Sequence, residues 1–132
     1  MGILFGTLRL QMVRGATWTD TIAITDSLGV PVNLTGVTGI TMRIRSTIDA
    51  TTSLLELSIA NGRIAIANAA GGIITLSVSA SATLGLPVAS HEIEQYVFDA
   101  VLDRGGSPQV IEPAFSGYVT VYPQVTRLLA EP

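Results

Sequence analysis

The stretch Glu94-Gln-Tyr-Val-Phe-Asp-Ala-Val-Leu-Asp103 decides the fold. Tyr96, Phe98, Ala100 and Leu102 point one way along it. Val97, Asp99, Val101 and Asp103 point the other, which is the two-residue period of a β-strand. A strand with one wholly apolar face needs a second layer to cover that face. Turn residues follow at Arg104-Gly-Gly-Ser-Pro108, then a short run at Gln109–Glu112 and a second strand over Gly117-Tyr-Val-Thr-Val-Tyr122. We read this pair as the centre of an all-β sandwich.

The same alternation recurs towards the N-terminus. Thr7–Met12 places Leu8, Leu10 and Met12 on one face. Arg14-Gly15 turns the chain into a strand from Trp18 to Thr25, with Trp18, Asp20, Ile22 and Ile24 on one side. Asp26–Gly36 has the Asp, Asn, Gly and Pro content of turns. Ile40, Met42 and Ile44 face inward on a third strand, with Thr41, Arg43 and Arg45 outward. Leu54–Ile59 is a short strand. Asn61-Gly62 has the form of a type I′ hairpin turn, returning the chain through Arg63–Ala67 to pair with it. Ala69–Gly72 turns into a strand at Ile73–Val78. Ser79–Leu84 is the one helical turn, capped by Ser79 or Ser81 and ended by Gly85 and Pro87. Pro123 stops the last strand or marks its edge. The count is seven to nine strands, in one domain spanning residues 1–132 without an internal repeat.

Composition narrows the function. The 132 residues can bury a core unaided, and there is no Cys for a disulfide, a thiolate nucleophile or a Cys-ligated metal. Charged residues are 13% of the chain, against roughly 25% in typical domains. Mean hydropathy is +0.52. All seven basic residues are Arg. A monomer that must stay soluble carries more charge than this, so part of the surface is expected to be covered by other subunits, as in a homo-oligomer. No apolar run approaches the roughly 18 residues of a spanning helix, so no membrane partner is expected. A net charge of −3 argues against nucleic acid.

Signals for chemistry are sparse. His91 is the single His, with Glu92 and Glu94 nearby, and a zinc-type site needs further His or Cys ligands that the chain lacks. Without Lys there is no phosphate loop of the Walker type. No Ser stands in a G-x-S-x-G context. We therefore expect no catalytic residue, no cofactor and no metal. Asp99 sits mid-strand among apolar residues. Either it is a structural ion-pair partner for Arg43, Arg45 or Arg127, or it lies on the solvent face. Trp18, Tyr118 and Tyr122 are either a platform for a sugar or packing residues.

The ordered motifs resemble a known family. Arg14-Gly15 precedes a strand; Asp26-x-x-Gly29-x-Pro31-x-Asn-Leu-Thr-Gly36 and Ile40-x-Met-x-Ile-Arg45 follow. Gly72-Ile-Ile-Thr-Leu-Ser-Val-Ser-Ala-x-x-Thr83, Tyr96-Val-Phe-Asp99 and Gly117-Tyr-Val-Thr-Val-x-x-x-Val-Thr-Arg127 complete the set. This order resembles the immunoglobulin-like N-terminal domain of phage baseplate upper proteins and related phage tail domains. The family usually has Gly before the Tyr-x-Tyr/Phe-Asp strand, where this chain has Ser90–Gln95. The resemblance implies an antiparallel immunoglobulin-like β-sandwich and a non-enzymatic virion structural protein, made in the host cytoplasm. Its place would be the phage tail, baseplate or head–tail adaptor, and its partners other phage virion proteins. A capsid decoration (cement) protein and a host-surface glycan-binding module are the alternatives. Met1–Gly6 and Val125–Pro132 are expected to be contact arms, with Ile3, Leu4, Phe5, Leu128 and Leu129 as interface residues.

Overall fold

The computed structural model describes residues 8–26, 28–86 and 93–123. Eight strands and one short helix follow each other as β1 (Leu8–Val13), β2 (Trp18–Ala23), β3 (Gly39–Arg45), β4 (Leu55–Ser58), β5 (Ile64–Asn68), β6 (Ile73–Val78), α1 (Ala80–Leu84), β7 (Glu94–Gly105) and β8 (Val110–Tyr122). They form a five-stranded sheet in the order β1-β8-β7-β3-β4 and a three-stranded sheet in the order β2-β6-β5. Strands three, seven and eight thus share one sheet while two, five and six share the other. That division is the immunoglobulin arrangement, and the all-β sandwich expected from the sequence is present.

Alternation along each strand builds the core. Tyr96, Phe98, Ala100 and Leu102 of β7 are all buried, facing Ile22, Ile74, Leu76 and Val78 of the smaller sheet's strands. The β3 residues Ile40, Met42 and Ile44 lie beside them with almost no exposure. Burying each such side chain contributes about 1.5–3 kcal/mol, offset by the conformational entropy lost on folding. Phe98 and Phe115 meet edge to face at 6.2 Å between ring centroids.

Three connections depart from the sequence reading. First, Gln109–Glu112 and Tyr118–Tyr122 belong to one continuous strand, β8. Opposite the Ala100–Val101 step of β7, Ala114 of β8 is an extra, bulged residue, and Ala114 and Phe115 are both buried. The extra residue shifts the phase of alternation, so one strand reads as two. Among the described residues β1 pairs only with Gly117–Tyr122, so none of them pairs with Pro113 on that side of β8.

Second, β1 runs parallel to β8, not antiparallel. The two strands lie at opposite ends of the chain, and a parallel pair needs such a long crossover. The close approach is made at Gly117, where an added Cβ would sit 2.0 Å from the Leu8 carbonyl oxygen.

Third, Asn61-Gly62 is not a hairpin turn. β4 lies in the larger sheet, and β5 pairs with β6 in the smaller one. Only Gly62 of this pair has positive φ, so the type I′ conformation is absent. Asn61 instead staples the crossing with its side chain. Its Oδ1 accepts from the Ser58 and Arg63 amides and its Nδ2 donates to the Glu56 carbonyl.

The helical turn is as expected, with Ser79 Oγ accepting from the Ala82 amide. It also clasps the β1–β2 turn. Thr83 is fully buried, and its Oγ1 accepts from the Gly15 amide and lies 2.8 Å from the Ala16 carbonyl oxygen, to which it donates. Arg14 Nε donates to the Leu86 carbonyl from the same turn.

Candidate functional site

Cross-strand register turns the outward residues of the larger sheet into rows. Arg45 of β3 lies opposite Val97 of β7, Val97 opposite Tyr118 of β8, and Tyr118 opposite Arg9 of β1. The next row is Glu56, Arg43, Asp99 and Ser116. Neighbours in such rows have Cβ atoms about 5 Å apart and interact directly. Above them lies a groove of about 260 Å³ lined by Arg43, Arg45, Ile48, Val97, Asp99 and Tyr118, among others.

The two arginines are held differently. Arg43 Nε donates to Glu56 Oε1 at 2.8 Å. Among the described residues Arg45 has one carboxylate near it, with Nη1 3.8 Å from Asp99 Oδ1, too long for a hydrogen bond. The Arg45 Nε atom is sealed from solvent without an acceptor. Its side chain is 27% exposed and that of Asp99 63%. Asp99 therefore lies on the open face of the sheet, where an ion pair contributes little to stability.

The sequence-expected site residues divide clearly. Arg43, Arg45 and Asp99 come together in the groove, although Arg43 takes Glu56, not Asp99, as its partner. Arg127, the arm residues Ile3, Leu4, Phe5, Leu128 and Leu129, and also His91 and Glu92 lie outside the described residues. Trp18 is 4% exposed and is a core residue, so it cannot serve a sugar platform. Tyr118 faces solvent on the groove wall. Tyr96 is buried in the core, and burial, helped by the Glu94 carboxylate, pushes its phenol above the ordinary value.

Two features escaped sequence reading. Arg9 joins the groove row only through the parallel β1–β8 register. Arg104 bonds Glu112 across the β7–β8 hairpin and donates to the Asn33 carbonyl, tying that hairpin to the loop after β2. The available signal was opposite charge on the two sides of the Gly105–Pro108 turn residues.

Among the described residues, no group of three or more His, Asp or Glu side chains is placed to hold a metal ion. No helix among them is long and apolar enough to cross a membrane. Compared with known proteins, the sequence matches no protein-family model and none of the curated proteins.

Proposed function

We propose that this chain is a structural subunit of a phage virion, a tail, baseplate or head–tail adaptor component that works by docking onto other virion proteins. The observation that carries the reading is the outer face of the larger sheet. It presents Tyr118 among arginines, with Ile48 of the turn after β3 lining the same groove, on a chain otherwise poor in charge. Aromatic residues and Arg are the types enriched where protein surfaces meet. The ordered resemblance to phage baseplate domains supplies the virion context, and the immunoglobulin strand order agrees with it.

Detection of the chain by mass spectrometry in phage particles purified from lysates of the encoding cells tests the reading. We expect it at a stoichiometry of several copies per particle. Consistent absence from purified particles would overturn the proposal.

A further inference from the structure

We propose that the groove over Val97 and Tyr118 is the docking site itself, and that it receives a carboxylate side chain of the partner protein on Arg45. Only the partner's being a protein rests on the virion reading; recognition of a carboxylate rests on the geometry.

Arg45 carries the argument. A guanidinium has five N–H donors and no acceptor capacity. Here it is nearly three-quarters covered, its Nε has no acceptor, and its one neighbouring carboxylate stands at 3.8 Å. Burial has removed water from Nε without replacing its hydrogen bond, which is unfavourable. An incoming carboxylate can meet the partly exposed guanidinium in the paired geometry that Arg favours. Arg43, beside it, is already engaged by Glu56 and does not compete for the same ligand.

The surroundings specify the rest of the partner. Tyr118, Val97 and Ile48, the last 85% exposed, line the groove with apolar surface for whatever flanks the carboxylate. The two rows hold three arginines (Arg9, Arg43, Arg45) against two carboxylates (Glu56, Asp99), on a chain whose net charge is −3. The patch is therefore locally positive, complementary to an acidic partner surface. A volume of about 260 Å³ suits an inserted side chain better than a drug-sized molecule, whose pockets run from about 300 to 1,000 Å³. Asp99, on the rim, repels an incoming carboxylate and holds Arg45 loosely while the groove is empty.

The test is an NMR titration of the ¹⁵N-labelled full chain with N-acetyl-glutamate N-methylamide. The Arg45 Nε–Hε resonance and the Val97 and Tyr118 amides should shift saturably. The isosteric N-acetyl-glutamine N-methylamide should bind several-fold more weakly. Arg45→Gln should abolish the shifts, and Asp99→Asn should tighten binding a few-fold by removing the like charge. Equal response to the glutamine analogue on the wild-type chain would overturn the proposal without requiring any variant to fold. Tighter binding of D-glucuronate than of the glutamate analogue would overturn the protein partner in favour of a carbohydrate. Absence of the chain from purified particles would remove the virion reading while leaving the titration result standing.

Discussion

The two sheets of this sandwich turn very different faces to solvent. The larger sheet presents rows of Arg, Asp, Glu, Tyr and Val around a groove. The smaller sheet presents Thr21 beside Thr75 and Ala65, Thr19 beside Ser77, and Ala23 beside Ile73. Among the described residues Arg63 extends the Thr19–Ser77 row, its carbonyl accepting from the Ser77 amide, but its guanidinium is turned to the Glu56 carbonyl. Asp20, next to these rows, accepts from the Thr21 amide with its Oδ1 on β2, the edge strand of this sheet among the described residues. An acid there protects the edge from pairing with another strand. Both faces obey the same alternation, so what separates them is the chemistry that register assembles. The first is the face we propose for contact, and the second carries small side chains with an acid at one side.

Substitutions can break this comparison, beginning with the largest effect. Gly117→Ala should destabilise the protein by roughly 3 kcal/mol, because its Cβ would collide with the Leu8 backbone and push β1 off the larger sheet. Thr75→Val, on the smaller sheet's outer face, should change stability by less than about 0.5 kcal/mol. Urea denaturation of both variants checks the pair, and equal effects would show that β1 is not an integral strand.

Thr83→Val probes the seam between α1 and the β1–β2 turn. It leaves the buried Gly15 amide without an acceptor and should cost about 1–3 kcal/mol. The same denaturation assay reads it.

The next effect depends on pH. The three tyrosines all lie in the larger sheet, and the buried Tyr96 phenol is raised above its ordinary value. The folded state then keeps a proton that the unfolded chain has begun to lose. Stability contributed by this group is complete below the usual tyrosine range near about pH 10 and falls as pH rises through it. Thermal melts across alkaline pH should show this fall, and Tyr96→Phe should flatten it.

The smallest effects belong to the surface ion pairs. A double-mutant cycle on Arg43 and Glu56 should give a coupling of about 0.2–1 kcal/mol that weakens with salt. Asp99→Ala should leave the melting temperature nearly unchanged, since its carboxylate is exposed and its contact with Arg45 long.

Much of the fold was legible because burial imposes a period of two. The inward sets on β1, β2, β3, β6 and β7 follow directly from the spacing of Leu10 and Met12, Trp18 and Ile22, Ile40 to Ile44, Ile74 to Val78, and Tyr96 to Leu102. Alternation does not say which sheet a strand joins. Asn61-Gly62 therefore suggested a hairpin where the chain crosses between sheets, and the bulge at Ala114 split β8 in two. The groove was only half legible for the same reason. Arg43, Arg45 and Asp99 stood out as polar residues on apolar strands. Their assembly with Tyr118, Glu56 and Arg9 depends on pairings between residues far apart in the chain.

The contrast between the two faces is tested most directly by hydroxyl-radical footprinting of the chain, isolated and within purified particles. Modification of Tyr118 and Ile48 should fall several-fold on assembly, while Ile73 on the outer face of the smaller sheet reacts as before. Unchanged reactivity of Tyr118 with protection at Ile73 would contradict it.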